Sequence, residues 1–288
     1  MITKEMPVKV NGLTNIRVSV EGLHLSLKVS AMVITYNEEQ NIRRTLAKLT
    51  WCDEIVVVDS YSTDSTVAIC KEFGCKVFFK TFEGYGNQKQ YALSKTNNNW
   101  VLCIDADEVL TGKLIEEIKE VLADGKEYAG YYLRMNMVFL NKEFLHGKES
   151  ARYFLRLFNK QKGSFTDDKV HERICVNGPV KNLHQTFRHY SYTSLHQYLE
   201  KNNRYSTYSA EVAFSKGKSK SMLAVLFALP FNFFKYYVIE VNCLNGTKGF
   251  YWAVLSSYYH FAKYIKLKEM HQNHAMQKSM ANGQQAKH

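Results

Sequence analysis

The chain has 288 residues, of which 45% are hydrophobic, 14% aromatic and 23% charged, and its formal net charge is +11. This length supports one large domain, with or without an appendage, and the composition excludes collagen, low-complexity fibres and bulk disorder. The six cysteines form no C-x-x-C pair and no zinc-ligand spacing, so we expect reduced, mostly buried thiols in a cytosolic protein.

Residues 1–27 are expected to form an N-terminal extension. The first nine residues are followed by alternating rather than continuous apolar residues, which is not the pattern of a secretory signal peptide. Leu23, Leu25 and Leu27 alternate with polar residues, as in an edge strand or a loosely attached segment.

Strands and helices are expected to alternate from residue 29 to residue 122. Apolar runs predict buried strands at residues 29–35, 55–58, 75–79 and 100–104. Helices are expected to begin near Asn37, Asp64, Asn87 and Gly112, with Asn37 as the N-cap of the first. This order indicates an α/β fold with a mostly parallel, doubly wound sheet.

The pattern changes after Tyr128. Short β-like runs at residues 128–134, 153–158 and 170–176 have no long helix between them. Helical periodicity returns at residues 194–214, and one face of this helix is predicted to carry Leu195, Leu199, Asn202, Tyr205 and Val212. We therefore assign one domain to residues 28–215, divided into halves at 28–125 and 126–215.

Ligands of open parallel sheets bind beyond the carboxyl ends of the strands. Polar residues follow three of the predicted strands there: Thr35 to Glu38, Asp59 to Asp64, and Asp105 to Glu108. In extended backbone Asp105 and Asp107 point the same way, so both carboxylates can reach one Mg²⁺ or Mn²⁺ that also binds phosphate oxygens. The alternative is a short acidic run in a solvated turn.

Two nucleotide-binding classes are excluded by absent motifs. No G-x-G-x-x-G follows the first strand and no G-x-x-x-x-G-K occurs, which argues against dinucleotide oxidoreductases and P-loop kinases. Asp59 can accept hydrogen bonds from a base or ribose, because an ionised carboxylate is acceptor-only. Helix capping or turn formation is the alternative role for Asp59.

Four stretches in this order carry a family resemblance: SAMVITYNEEQNI, EIVVVDSYSTDST, GYGNQKQYAL and VLCIDADEVL. Residues 29–112, which contain them, resemble the donor-binding half of the inverting family 2 glycosyltransferases of GT-A fold. The resemblance continues through RYFLRLF, DDKVHERI, LHQYLEKNNRYS and GTKGFYWAVLSSYYHFAKYIKLKE to about residue 270. It is similar to the bacterial branch that contains lipopolysaccharide core-biosynthesis glucosyltransferases.

The resemblance implies a donor site and a cofactor. The implied nucleoside-binding residues are Thr35, Tyr36, Asn37, Glu38 and Asp59. Asp105 and Asp107 are the implied ligands of a divalent cation, Mg²⁺ or Mn²⁺, on the donor diphosphate, where it offsets charge on the leaving group. Lys89 lies where a basic side chain approaches the donor, and its alternative is a solvated helix lysine.

Inverting transfer needs a carboxylate base that deprotonates the acceptor hydroxyl. The candidates are Asp167, Asp168 and Glu172 in FTDDKVHERI. We favour Glu172, because it lies in a Val-His-Glu stretch that matches the family, and we retain Asp168 as the second candidate. His171 can orient the base or contact phosphate. The two aspartates can instead form a turn, and strand alternation can place Glu172 in solvent.

Residues 216–270 are expected to associate with an anionic membrane surface, and residues 271–288 to form a polar tail. From residue 216 onward there are ten lysines and two glutamates, a net +8. The apolar run from Met222 to Phe234 is shorter than the ~20 residues that span a bilayer, so lysines flanking it and an aromatic segment at 250–267 suit helices in the headgroup region. The alternative is packing on the domain or a dimer interface.

The sequence therefore predicts a transferase that moves a hexose from a UDP-sugar to a lipid-linked glycan at the inner face of the cytoplasmic membrane. Nucleic acid is not an expected partner, because no arginine follows Arg204. A metal-dependent phosphohydrolase or nucleotidyltransferase is the second enzyme class, although Val109 stands where an aspartyl phosphatase has threonine. A non-catalytic membrane scaffold is the third.

Overall fold

The computed structural model describes residues 27–124, 126–150, 152–166 and 173–285. Within these ranges the chain forms a nine-stranded mixed sheet, a separate two-stranded sheet and a C-terminal group of helices. The elements in chain order are β1 (Val29–Thr35), α1 (Ile42–Leu46), β2 (Glu54–Asp59), α2 (Thr66–Glu72), β3 (Lys76–Phe79), α3 (Tyr85–Ser94), β4 (Trp100–Cys103), β5 (Glu108–Leu110), α4 (Gly112–Ala123), β6 (Gly130–Phe139), β7 (Lys142–Glu143), β8 (Arg152–Asn159), β9 (Gly163–Phe165), β10 (Ile174–Val176), β11 (Val180–Tyr192), α5 (Leu195–Ser215), α6 (Met222–Leu226), α7 (Ala228–Phe234) and α8 (Thr247–Gln285). A π-helical turn (Lys235–Ile239) and a 3₁₀ turn (Asn242–Asn245) connect α7 to α8.

The first half of the large sheet is parallel, in the order β3-β2-β1-β4. Its central strands are apolar on both faces, which requires a helix layer on each side. Ala31 and Val33 of β1 pack in the core that includes α1, α2 and α4, whereas Met32 packs with α3 on the other face. The predicted α/β class with a doubly wound parallel half is confirmed.

The second half is mixed, and it continues as β4-β8-β6-β11-β5. Sequence analysis missed β5, whose Glu108, Val109 and Leu110 are only 2%, 7% and 1% exposed. They are buried because β5 pairs antiparallel with residues 187–189 of β11. The segment that follows β4 is therefore held against the end of β11.

The first helix begins five residues later than predicted. Asn37 has a φ of +53°, a left-handed conformation, whereas an N-cap residue has extended backbone angles. Its Oδ1 accepts a 2.8 Å hydrogen bond from the Thr63 N–H, and Asn41 precedes α1 instead. The N-cap prediction for Asn37 is wrong; the residue joins the loops after β1 and β2.

Helix α5 confirms the predicted helix, but only part of its predicted inner face. Asn202 is buried and Val212 is half-buried, whereas Leu195, Leu199 and Tyr205 are 47%, 40% and 53% exposed. The buried residues of this helix are mostly small or polar: Tyr198, Asn202, Ser206, Ala210 and Ala213. Some of them pack against bulky side chains of α8, so the periodicity of large apolar residues does not by itself locate the buried face.

Helix α8 is anchored to the domain by aromatic and polar contacts. Trp252 packs edge-on against Phe139, with ring centroids 5.3 Å apart. The Lys266 ammonium donates to four oxygens of α5, at distances of 2.6–2.9 Å. At its start the helix passes very close to the preceding turn, and Gly249 is the residue at that crossing.

The apolar run at residues 222–234 forms two short helices, α6 and α7. Pro230 lies in the first turn of α7, where its missing N–H removes no intrahelical hydrogen bond. In the part of the chain that the structure describes, no helix has both the length and the apolar character needed to cross a membrane.

Gly249→Ala is expected to destabilise the protein, because the added Cβ would lie 1.9 Å from the Asn242 carbonyl oxygen. Overpacking of this kind costs about 1–3 kcal/mol and occasionally more. The control is Gly112→Ala in the first turn of α4, where nothing lies within 4 Å of the new Cβ. Thermal unfolding should show a lower midpoint for the first variant only; equal midpoints would contradict the close approach.

Candidate active site

Three predicted site residues lie at one edge of the sheet. Thr35 ends β1, Asp59 ends β2, and Asp105 follows β4. Thr35 and Asp59 are register partners, and Thr35 Oγ1 donates a 2.8 Å hydrogen bond to Asp59 Oδ2. Parallel strand order brings these residues together at the carboxyl edge, where ligands of such sheets bind.

The Asp59 carboxylate is buried and hydrogen-bonded within the protein. It accepts bonds from the Ser62 backbone N–H at 2.7 Å and from Ser62 Oγ at 2.5 Å, and it is 0% exposed. This geometry agrees with the turn-forming role. Asp59 thus positions the loops after β1 and β2.

These two loops are tied together by backbone donors. The Asn37 N–H donates to Ser62 Oγ, and the Glu38 N–H donates to Thr66 Oγ1, both at 2.8 Å. Tyr36, between the strand and these contacts, is 60% exposed. The two loops are therefore held in place, and the Tyr36 ring faces solvent.

Glu38 shares the electrostatic environment of Asp107. Burial raises the pKa of Glu38, a hydrogen bond from the Asn41 side chain lowers it, and the nearby Asp107 carboxylate raises it further. The pKa of Glu38 therefore lies above its ordinary value. The loop after β1 and the Asp-x-Asp segment thus form one acidic rim, which would attract a cation.

Asp105 is held by two cations. Lys89 Nζ lies 3.0 Å from Asp105 Oδ1, and Arg156 Nη2 lies 2.9 Å from Asp105 Oδ2. Burial would raise the pKa of Asp105, but Arg156 and Lys89 outweigh it and hold the pKa well below the usual range. The carboxylate is therefore ionised. Lys89 is only 5% exposed, so the interpretation as a solvated helix lysine is wrong.

Glu108 completes this network. Its Oε1 lies 2.5 Å from Arg156 Nη2, and its Oε2 accepts the Asp105 N–H at 3.0 Å. Burial raises the pKa of Glu108, Arg156 opposes this, and the Asp105 charge adds to it, so the pKa stays above its ordinary value. Glu108 thus fixes both the backbone of Asp105 and its guanidinium partner.

Asp107 points to a different partner. Its Oδ2 lies 3.1 Å from His189 Nε2, and its carbonyl accepts the Tyr190 N–H at 2.9 Å. Burial lowers the pKa of His189, but the Asp107 hydrogen bond and charge raise it to about 9 overall. The imidazole is therefore protonated at neutral pH, and this ion pair weakens as the pH rises through about 9.

The expected convergence of both carboxylates on one cation is not the arrangement in the structure. Lys89 and Arg156 pair with Asp105, whereas Asp107 pairs with the His189 imidazole. In the described ranges no three His, Cys, Asp or Glu side chains are grouped to hold a metal. The residues present fit a hard cation held by Asp107 alone, with diphosphate oxygens and water as its other ligands.

Sequence analysis missed Arg156, Glu108 and His189. A signal existed for Arg156, because an arginine in the middle of the apolar strand RYFLRLF requires a buried partner. Glu108 was grouped with the polar residues after β4 without a role of its own. His189 lies on β11 in an alternating polar and aromatic run that carried no signal, and its role depends on the β5–β11 pairing.

The predicted base candidates, Asp167, Asp168 and Glu172, lie outside the described residues, as does His171. The residues that flank them are hydrogen-bonded to each other: the Thr166 N–H donates to the Arg173 carbonyl at 2.9 Å. The Phe165 N–H donates to Gln90 Oε1 of α3 at 3.1 Å. Both ends of this segment therefore lie near the helix that carries Lys89.

Comparison with known proteins gives the family. Residues 30–182 match the family described as "Glycosyl transferase family 2". An uncharacterised glycosyltransferase of Rickettsia conorii is 33% identical over 257 residues, which cover 85% of this chain and 91% of that protein. LpsC of Rhizobium meliloti, named a lipopolysaccharide core biosynthesis glycosyltransferase, is 30% identical over 252 residues, covering 85% and 93%.

Solved structures with a similar fold match less closely. TarS of Staphylococcus aureus has a TM-score of 0.38 and 15% identity, covering 74% of this chain and 44% of that one. Glucosyl-3-phosphoglycerate synthase of Mycobacterium tuberculosis, solved with Mn²⁺ and UDP, has a TM-score of 0.34 and 20% identity, covering 39% and 45%. Because these TM-scores are low, the family assignment rests on the sequence comparisons. The family match spans more than half of the chain, and the chain therefore belongs to glycosyl transferase family 2.

Proposed function

We propose that the protein is an inverting glycosyltransferase that moves glucose or another hexose from a UDP-sugar to a lipid-linked envelope glycan, such as the inner core of lipopolysaccharide. The observation that carries this proposal is the carboxyl edge of the sheet, where Asp107 stands beside an Asp105 neutralised by Lys89 and Arg156. Membership of family 2 and the likeness to LpsC support it.

The donor would lie across the loops after β1, β2 and β4. Tyr36 is exposed and can stack on a base, while Thr35, Asn37, Glu38 and Asp59 keep the rim in place. Lys89 and Arg156 add fixed positive charge beside the position proposed for the diphosphate. Buried cations of this kind stabilise developing negative charge because they need no reorganisation.

Asp107, with Asp105 behind it, is the proposed holder of a divalent cation, Mg²⁺ or Mn²⁺. When bound, the cation supplies Lewis-acid stabilisation of the departing diphosphate. His189 would orient the Asp107 carboxylate from the opposite side.

The transfer step needs a base near the acceptor. The base takes the proton of the acceptor hydroxyl as the oxygen bonds to the anomeric carbon, and the bond from that carbon to the diphosphate breaks with its electron pair. Attack from the face opposite the leaving group inverts the anomeric configuration. Glu172 remains our first candidate and Asp168 the second, and the described ends of their segment lie beside α3.

The C-terminal helices are proposed to rest on the inner face of the cytoplasmic membrane. Large apolar side chains there are more than half exposed and form what we call the apolar surface: Met222, Leu223, Leu226, Phe227, Phe231, Phe234 and Ile239. Patches of this kind mark binding surfaces. Lysines flank residues 222–234 in the sequence at positions 216, 218, 220 and 235, and each adds about 1 kcal/mol of attraction near an anionic leaflet.

The nucleotide site is tested by measuring UDP binding by calorimetry with Mn²⁺ and with EDTA. We expect UDP to bind more tightly with Mn²⁺ by about tenfold, or about 1.4 kcal/mol, and more tightly than GDP, ADP or CMP. Asp107→Asn should abolish the Mn²⁺ effect, because the proposed protein ligand is removed. Asp124→Asn, at an exposed aspartate paired with Lys126, is the control. Metal-independent binding by the parent protein would contradict the cation site.

The base is tested by turnover of a UDP-hexose with a lipid-linked acceptor. Glu172→Gln should lower kcat by about 10²–10⁴-fold, the usual contribution of a positioned base, and leave UDP affinity unchanged. Asp168→Asn is made in parallel, and Glu120→Gln on the exposed face of α4 is the control. Normal kcat in both test variants, or an unchanged anomeric configuration by NMR, would exclude the proposed mechanism.

Membrane association is tested by sedimentation with phosphatidylglycerol and phosphatidylcholine vesicles. We expect the protein to bind the anionic vesicles more strongly, and high salt to weaken this binding. The combined change Leu223→Asn and Phe231→Asn should reduce it, because both side chains are 66% exposed. Phe82→Asn, at a 48% exposed phenylalanine outside these helices, serves as the control. Equal sedimentation of all three proteins would count against the apolar surface as the contact.

A further inference from the structure

Two adjoining cavities lie in the half of the domain that the donor loops do not use. The first has a volume of about 260 Å³ between β6, β8, β11 and the C-terminal helices. The second has a volume of about 300 Å³ between α5, α8 and the π-helical turn. Tyr192 and Tyr205 line both. The two cavities are therefore neighbours at these rings.

The pair of cavities lies between the Asp-x-Asp segment and the π-helical turn that carries part of the apolar surface. His189 lines the first cavity and contacts Asp107 at 3.1 Å. Tyr236 lines the second cavity, and it belongs to the π-helical turn that also carries Ile239 of the apolar surface. A molecule anchored at that surface could reach Asp107 through the two cavities.

The side chains that line the two cavities are of the kind that bind a saccharide. Phe154, Tyr192, Tyr205 and Trp252 present ring faces or edges around the first cavity, and such rings pack against the apolar faces of pyranoses. Asn202 lines the second cavity, is 7% exposed, and its Oδ1 is buried without a hydrogen-bond partner in the described chain. A buried acceptor left unpaired is costly, and a sugar hydroxyl is a group that could donate to it.

One cation that lines the first cavity has no ion-pair partner at contact distance among the described residues, although the Glu38 carboxylate interacts with it electrostatically. Arg152 pairs with Glu149 at 3.3 Å, and His189 pairs with Asp107. Lys201, from α5, forms no ion pair with any residue that the structure describes, and its ammonium lies 5.3 Å from the Tyr192 ring centroid. The ammonium thus lies beside a ring that lines both cavities, and this ring rather than a carboxylate is its contact.

We propose that the acceptor carries an anionic sugar residue, bearing a carboxylate or a phosphate, and that Lys201 binds this group in the first cavity. The inference rests on the proposed glycosyltransferase function and specifies the acceptor class. Lys201 is a specificity residue, and it acts on acceptor binding rather than on the donor. Both anions would pair with the ammonium, whereas a neutral sugar leaves it unpaired.

The experiment measures binding of three octyl glycosides to the full chain with UDP and Mn²⁺ present, using calorimetry below their micelle concentrations. The three differ at one carbon: octyl glucoside is neutral, octyl glucuronide carries a carboxylate, and octyl glucoside 6-phosphate carries a phosphate. Lys201→Gln removes the proposed contact. Arg204→Gln is the matched control, because Arg204 is an exposed cation on the same helix that lines neither cavity.

We expect one or both anionic glycosides to bind about tenfold more tightly than the neutral one, a preference lost in Lys201→Gln and kept in Arg204→Gln. The tighter of the two identifies the anion. Equal binding of all three glycosides, no binding of any, or a preference that survives Lys201→Gln would overturn the inference. Weaker UDP binding by Lys201→Gln, with the preference intact, would assign the lysine to the donor and also overturn it. Absence of UDP binding by the parent protein would instead contradict the proposed function.

Discussion

The ion pairs of Asp105 hold together the parts of the chain from which the site is built. Lys89 comes from α3, Arg156 from β8 and Glu108 from β5, and all three meet at one carboxyl group and its backbone. Breaking a buried pair by removing one partner leaves an uncompensated charge and costs about 3–5 kcal/mol. The network therefore resists rearrangement, and it holds in place the backbone next to Asp107, which lies two residues further along the chain.

The same segment joins the two halves of the domain. Because β5 pairs with β11, Asp107 meets His189, and His189 also lines the first cavity. Thr45 of α1 donates to the Ala106 carbonyl at 2.7 Å, which holds the segment from the other side. The segment from Asp105 to β5 thus connects the carboxyl edge of the parallel sheet to the cavities near α5 and α8.

Much of the parallel half could be predicted from sequence, because strands buried on both faces leave continuous apolar runs such as Val29–Thr35. The polar residues after β1, β2 and β4 were located by the same reasoning. The left-handed Asn37 and the three-residue strand β5 could not be located, since each depends on a partner distant in sequence. For the same reason the separate partners of Asp105 and Asp107 were not foreseen.

The prediction for α5 failed in part, for a different physical reason. A periodic stripe of large apolar residues usually marks the inner face of a helix, but most of the residues that α5 buries are small or polar. Leucines 195 and 199 are left exposed. Buried polar residues such as Asn202 and Ser206 are therefore part of the packing and, at Asn202, of the second cavity.

A crystal structure of the full chain with UDP and Mn²⁺, phased to show anomalous scattering from manganese, tests the central claim most directly. We expect a manganese peak in coordination contact with an Asp107 oxygen and the diphosphate, with Asp105 still bonded to Lys89 and Arg156. A peak held by Asp105 after release of Arg156, or no manganese at this edge of the sheet, would contradict it.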